Sequence, residues 1–283
     1  MPATPGPPIR RRQLGRRLQQ LREAAGITPE QVMTALRCTR PRITHIEQGR
    51  NPPKYLELER LLDLFGLTDQ AERAELEEMR DQGSRRGWTS SYRLPKHLRD
   101  YIDLETDAES VRSFGLEVIP GLLQTEAYAR STHESVPGLD GKQLERWVKA
   151  RLRRQLRLQE PPALKLEVVL SESSLRRAAA DAEIGAAQLD YLTQQAERPN
   201  VTIRILSFET GLRGLMSTPF ALLDFNPQVS APFAYTEASA GGYLSDDHEV
   251  LDRLNFVFNS LRDVALSPDA SLRFINEVRG GRR

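Results

Sequence analysis

The sequence predicts a multidomain chain: an all-α N-terminal domain with a helix-turn-helix, then a mixed α/β domain with a sheet of at least four strands. Three observations predict this. Up to residue 82 the apolar residues recur at helical spacing. Beyond residue 164, β-branched alternating runs are interleaved with helical ones. Between these parts lies "DQGSRRGWTSSYRLP" at 81–95, where Gly, Ser and Arg cluster without apolar periodicity, as in a linker. The expected division is 1–82, a linker over 83–94 in which Trp88 and Tyr92 can still dock, and 95–283. A chain of 283 residues can hold one to three domains with a sizeable core.

In the first domain, Leu14, Leu18 and Leu21 line one face of a helix that Gly26 ends. Thr28-Pro29-Glu30-Gln31 starts the next helix: a cap, Pro at the first position, and Gln three residues after the cap. Val32 and Leu36, four apart, face inward. "CTRPRITHIEQGR" at 38–50 is a short polar helix. Thr39 is its expected N-cap, with the hydroxyl accepting from a first-turn N–H. Pro41 is tolerated there, because first-turn amides have no intrahelical partner. Gly49 suits the left-handed position past the end. Ile43 and Ile46 share the inward face, leaving Arg40, Arg42 and His45 off it. Two short helices so joined form a helix-turn-helix. Tyr55, Leu58, Leu61, Leu62 and Phe65 predict a fourth helix, and "TDQAERAELEEMRD" a polar fifth.

On "LREAAGITPEQV" and "RPRITHIEQGRNPP" the domain resembles the phage-repressor-like (XRE-type) helix-turn-helix family. The resemblance implies that residues 39–48 form a recognition helix in the major groove of double-stranded DNA. It puts Arg40, Pro41, Arg42 and His45 where bases are faced. Thr28, Thr39, Arg50 and Lys54 complete the expected DNA-binding set. It also implies a structural ion pair, Arg22 with Glu47. Two positions depart from the family pattern: Met33 where Ala is usual, and Arg37 where the turn usually has Gly. A non-Gly residue there carries a mild cost at positive φ.

Charge agrees with a polyanionic partner. Residues 1–55 hold ten Arg and one Lys against three Glu, a net of +8, while the whole chain is +1. "IRRR" at 9–12 reads either as an arm along the DNA backbone or as part of a solubilising tail after "MPATPGPP". One cysteine excludes an internal disulfide framework and a Cys-based zinc site. Cys38 abuts the recognition helix; a redox switch is conceivable there, but packing as a small hydrophobe is the expected role. The sequence contains no apolar run of eighteen and no apolar leader, so the expectation is a cytoplasmic chain with no membrane partner. Arg outnumbers Lys 35 to 5, which suggests a GC-rich genome.

In the second domain, "PKHLRDYIDLETDAESVRSFG" reads as helical and "FGLEVIPGLLQ" as an extended segment and turn. "TEAYARSTHE" is a helix capped by Thr125, and residues 141–160 form a long amphipathic helix. "LKLEVVLSE" and "NVTIRILSF" are strands flanking the helix "AAQLDYLTQQAE". Short joins make those strands parallel. "PFALLDF" and "FAYTEAS" follow at hairpin-like separation, and two helices close the chain.

The segments "IPGLLQTEAYAR", "RLRRQLRL", "LSESSLRR", "QLDYL", "NVTIRILSF", "FAYTEA" and "ALSPDASLRFI" resemble the uncharacterised C-terminal domain of actinobacterial helix-turn-helix regulators. That resemblance implies an antitoxin-like transcription regulator, linked with a small protein encoded nearby, and carries over no catalytic or ligand residue.

Chemistry-bearing motifs are sparse. The four histidines are scattered, and no H-E-x-x-H, G-x-S-x-G or phosphate-binding Gly loop occurs. Asp246 and Asp247 in "GGYLSDDHE" read as the acidic start of a helix rather than a site. The serines of "SESSL" at 171–175 read as a strand-end cap. The expectation is no enzyme and no cofactor. The second domain is expected to bind a small protein partner or to form a homodimer, with a small-ligand-sensing repressor as the alternative. Leu122, Leu123 and Tyr128 suit either a partner groove or the core. The helix 141–160 and the apolar helix with Leu254, Phe256, Val257 and Leu261 are the expected dimer elements, with 83–91 as hinge.

Overall fold

The computed structural model describes residues 6–134, 136, 138–214, 218–227, 229–238 and 241–281. It divides into two compact units, Met1–Trp88 with Pro227–Ser230, and Thr89–Asn226 with Ala231–Arg283.

The first unit is helical: α1 (Pro7–Ala24), α2 (Pro29–Leu36), α3 (Arg40–Glu47), α4 (Tyr55–Leu64) and α5 (Gln70–Ser84). Its core is Leu14, Leu18, Val32, Ile43, Ile46, Leu58, Leu61, Leu62 and Leu76, all buried. Each such side chain contributes about 1.5–3 kcal/mol of burial. Met33, Leu36, Phe65 and Cys38 pack on its margin. Burial pushes the Cys38 thiol pKa up, away from the reactive thiolate.

Three expectations change here. "IRRR" is neither arm nor tail but the first turns of α1. Ile9 is fully buried, and Arg11 donates to the Gly83 carbonyl at 3.3 Å. An apolar anchor and a helix-starting Pro pair thus convert a basic run into a packed helix. The remainder of the tail reading, residues 1–5, lies outside the described residues. Tyr55 is 47% exposed at the start of α4 rather than in the core. Residues 83–94, read as a linker, include the end of α5 and a 3₁₀ turn over Trp88–Tyr92. In the second unit, buried Thr89 donates to Asp103 at 2.6 Å.

The second unit is a six-stranded mixed sheet with helices α6 (Lys96–Asp107), α7 (Glu126–Glu134), α8 (Gly141–Gln155), α9 (Glu172–Ala179), α10 (Ala182–Ala196), α11 (His248–Val264) and α12 (Pro268–Arg279). The strands are β1 (Ser110–Gly115), β2 (Lys165–Ser171), β3 (Val201–Leu206), β4 (Phe220–Asp224), β5 (Phe233–Ala238) and β6 (Gly241–Ser245), in the order β3-β2-β1-β4-β5-β6. The strands β1, β2 and β3 are parallel, as expected for β2 and β3, and β4 to β6 add on antiparallel. On one face, α11 seals Phe114, Val169, Leu206, Phe220, Leu222 and Ala234 with Leu251, Phe258 and Leu261.

The strand β1 at the sheet's centre departs from the reading of 95–115 as helical. Its Arg112 and Ser113 mask the strand pattern. Arg112 is satisfied across the sheet by both carboxylate oxygens of Asp224, at 3.1 and 3.2 Å, a pairing 112 residues away that no local signal carries. The long helix stops at Gln155 and continues as a 3₁₀ turn over Leu156–Leu158. Thr125 caps α7, accepting from the Tyr128 amide at 3.3 Å. Leu122, Leu123 and Tyr128 are core, not groove. Buried Gln188 locks them in place by donating to the Leu123 carbonyl at 2.7 Å and accepting from the Thr125 amide at 2.8 Å. Asp247 caps α11, and Ser171 caps α9. On α11, Leu261 is buried, Leu254 and Val257 are part-buried against the core, and Phe256 is 73% exposed. No helix among the described residues is long and apolar enough to cross a membrane.

Candidate nucleic-acid interface

The turn between α2 and α3 is built from local signals. Thr28 and Gln31 form a reciprocal capping box: the Thr28 amide donates to Gln31 Oε1 at 2.8 Å, and the Gln31 amide to Thr28 Oγ1 at 3.3 Å. Arg37 occupies the left-handed conformation at φ 50°. There it lets the Cys38 amide reach back to the Met33 carbonyl at 3.1 Å. Thr39 precedes α3 in extended conformation, but its side chain does not cap the helix. Pro41 supplies no first-turn donor, and the Arg42 amide bonds the Thr39 carbonyl instead, at 3.0 Å.

Glycines let α1 cross the end of α3 at backbone contact. A Cβ on Gly15 would lie 2.4 Å from the Glu47 carbonyl oxygen and 2.5 Å from that of Ile46. Gly49, at φ 65°, meets the Arg12 backbone as closely. Beside this crossing, Arg22 Nε donates to Glu47 Oε1 at 2.6 Å and Nη2 to Oε2 at 3.3 Å. Arg22 is 9% exposed, and its Nη1 also donates to the Ile27 carbonyl. The hydrogen bond that Arg22 donates to Glu47 raises the Arg22 pKa against the opposing effect of burial. This pair therefore ties α1, the turn before α2, and the end of α3 together.

With Ile43 and Ile46 facing the core, α3 turns its other side outward. Arg40, Pro41, Thr44, His45, Gln48 and Arg50 line one shallow depression there. Thr44 and Gln48 were not singled out from the sequence; the helical step of four from Arg40 would have found both. Arg40 makes only a surface pair with Glu30, at 3.3 Å with both side chains over 60% exposed. Thr28, Thr39 and Lys54 are exposed as well. Arg42 is not on this face. Its guanidinium turns back to the Asn51 and Pro52 carbonyls and to Glu57 Oε2, at 3.1, 3.2 and 2.6 Å. The outward face is suited to duplex DNA: Arg can bond guanine and Gln adenine bidentately, while cations off the helix meet phosphates.

The second unit buries a polar cluster. Arg154 and Glu105 form a bidentate pair at 2.8 and 2.7 Å, with 5% and 1% of their side chains exposed. Tyr101 stacks on Tyr235 at 4.3 Å. His133 lies 3.4 Å from Arg151; burial, then Arg151 and Arg154, push its pKa down to about 4. A shallow depression opens at the starts of β1, β2 and β3, where Ser110, Arg112, Lys165, Glu167 and Thr202 are among its lining residues. Among the described residues no three His, Cys, Asp or Glu side chains are grouped to hold a metal ion.

Comparison with known families finds a helix-turn-helix domain model over residues 13–76 and a model described as a domain of unknown function, DUF5753, over residues 98–277. No curated protein and no solved structure matches the chain. The second of these models spans more than half of the chain, which therefore belongs to the DUF5753 family and carries a helix-turn-helix DNA-binding domain ahead of that domain.

Proposed function

We propose that the protein is a sequence-specific transcriptional regulator of the XRE type, with α3 as its recognition helix. Arg40, Thr44, His45 and Gln48 read base edges, with Pro41 in apolar contact, while Thr28, Thr39, Arg50 and Lys54 meet the backbone. The observation that carries this reading is the outward face of α3, which groups cations and amide donors over a buried apolar stripe. One such helix reads few base pairs, so the protein acts as a homodimer on half-sites roughly 34 Å apart. The DUF5753 domain works by binding, not catalysis. Its resemblance to antitoxin-like actinobacterial regulators supports a small protein encoded nearby as its partner. The alternative, a small-ligand-sensing repressor, rests on the depression at the starts of β1 to β3.

Selection of bound duplexes from a random pool by the full chain tests the reading. An enriched motif is expected, with Arg40→Ala and Gln48→Ala each relaxing one position per half-site by about 1–3 kcal/mol. Failure to enrich any sequence, or unchanged preference in both variants, defeats it. Repeating the selection with and without the neighbouring small protein tests the partner.

A further inference from the structure

The segment between α3 and α4 is held at several points. The Arg50 and Asn51 amides both donate to the His45 carbonyl, at 2.8 and 3.1 Å, past the left-handed Gly49. The Asn51 and Pro52 carbonyls accept from the two terminal nitrogens of Arg42. Glu57 Oε2 accepts from Arg42 Nη2 at 2.6 Å and from the Lys54 amide at 2.8 Å. Burial by itself would raise the Glu57 pKa, but the Lys54 amide and Arg42 outweigh it and hold the carboxyl below its usual value. Glu57 is therefore a charged acceptor joining the recognition helix to the start of α4. The side chains of Arg50 and Lys54 leave this braced segment exposed.

The geometry points to Arg42 and Glu57 as a clamp that positions Arg50 and Lys54 against DNA phosphates, with Arg42 a positioning residue rather than a base reader. A lone exposed cation loses rotamer and loop freedom when it meets a phosphate; a braced backbone has already lost the second part. Arg suits the post because its planar fork serves two carbonyls and a carboxylate at once, which an ammonium on a flexible stem does not. The inference rests on the DNA-binding reading above and adds a function for the one cation of α3 that turns away from the outward face.

Two measurements test it on the full chain. In the free protein, Arg42→Ala and Glu57→Ala should speed amide exchange at Arg50, Asn51 and Lys54. On the duplex that the wild-type chain selects, titrated over a NaCl series, each variant should flatten the slope of log K against log salt by about 1–2. That is the loss of one or two phosphate contacts at about 0.9 each. Base preference should stay as in wild type, and the double variant should be no worse than the poorer single one. Arg42→Lys should flatten the slope too, and it keeps the test open should an alanine variant fail to fold. A changed preference at one base pair in Arg42→Ala but not in Glu57→Ala overturns the clamp in favour of direct reading. Unchanged slopes in both variants overturn it as well, provided Arg50→Ala and Lys54→Ala do flatten the slope. If loop exchange does not quicken while wild type binds DNA, the clamp alone fails. If it quickens and wild type selects no DNA, the DNA-binding reading fails and takes the clamp's purpose with it.

Discussion

Gly15→Ala isolates the contact that sets α3 on its scaffold. In the interior of a free helix this change stabilises by roughly 0.5–1 kcal/mol, because Gly loses more backbone freedom than Ala on folding. Here the added Cβ would sit 2.4 and 2.5 Å from two carbonyl oxygens of α3, closer than the 3.0 Å that real Cβ atoms respect. The obstacle is backbone, so no side chain can swing aside, and α1 must part from α3 by more than half an ångström. Overpacking of this kind costs about 1–3 kcal/mol. It also strains the 2.6 Å Arg22–Glu47 contact at the same crossing. The clash outweighs the propensity gain, and the expected net loss is about 1–2 kcal/mol. Amide exchange of the buried α1 and α3 positions measures it for the first unit alone. Gly141→Ala, at the start of α8 in the second unit with nothing within 4 Å of the new methyl, is the sign control; read by amide exchange of buried α8 positions, it should be neutral or slightly stabilising. DNA affinity should fall in Gly15→Ala, since α3 is displaced. A variant as stable as wild type would refute the argument that this crossing is a backbone contact.

Three further outcomes follow from the same interactions. Glu47→Ala deprives the nearly buried Arg22 of its bidentate carboxylate and should cost about 2–3 kcal/mol, somewhat under the fully buried range because Glu47 is 16% exposed and both the Ile27 carbonyl and the Glu23 carboxylate, 3.4 Å from Nη2, remain. A loss below about 0.5 kcal/mol in denaturant unfolding would show that the pair is idle. Arg37→Gly removes a non-Gly residue from φ 50° and should stabilise by about 1 kcal/mol or less, the relief of left-handed strain being partly offset by glycine's extra freedom in the unfolded chain; a lower melting temperature would contradict it. His133 titrates near 6.5 when unfolded and near 4 when folded, so between those values the unfolded state binds the extra proton. Its contribution is complete above about pH 6.5 and is lost as pH falls toward 4, by at most about 3 kcal/mol. Unfolding of wild type and His133→Gln at pH 4.5 and 7 should show the smaller pH dependence in the variant, and equal dependence would rule the imidazole out.

What the sequence alone determined is what a few neighbouring residues can specify. Thr28 to Gln31 starts α2, Gly49 marks the end of α3, Ile43 and Ile46 choose the inward side of α3, and alternation marks β2 and β3. Each depends on spacings of a turn or less, or on the two-residue period of a strand. The Arg22–Glu47 pair was legible only through family resemblance, since its partners stand 25 residues apart. The tertiary structure decided the rest. Arg42 has the composition of a base reader, but Glu57, fifteen residues on, captures it. "IRRR" has the composition of an arm, but fully buried Ile9 and the Gly83 carbonyl make it helix. The strand β1 hides behind Arg112, whose partner Asp224 arrives only when β4 pairs with it. A charged side chain reports its solubility from sequence; whether it faces a ligand or another residue is settled by distant groups that folding brings within hydrogen-bond reach.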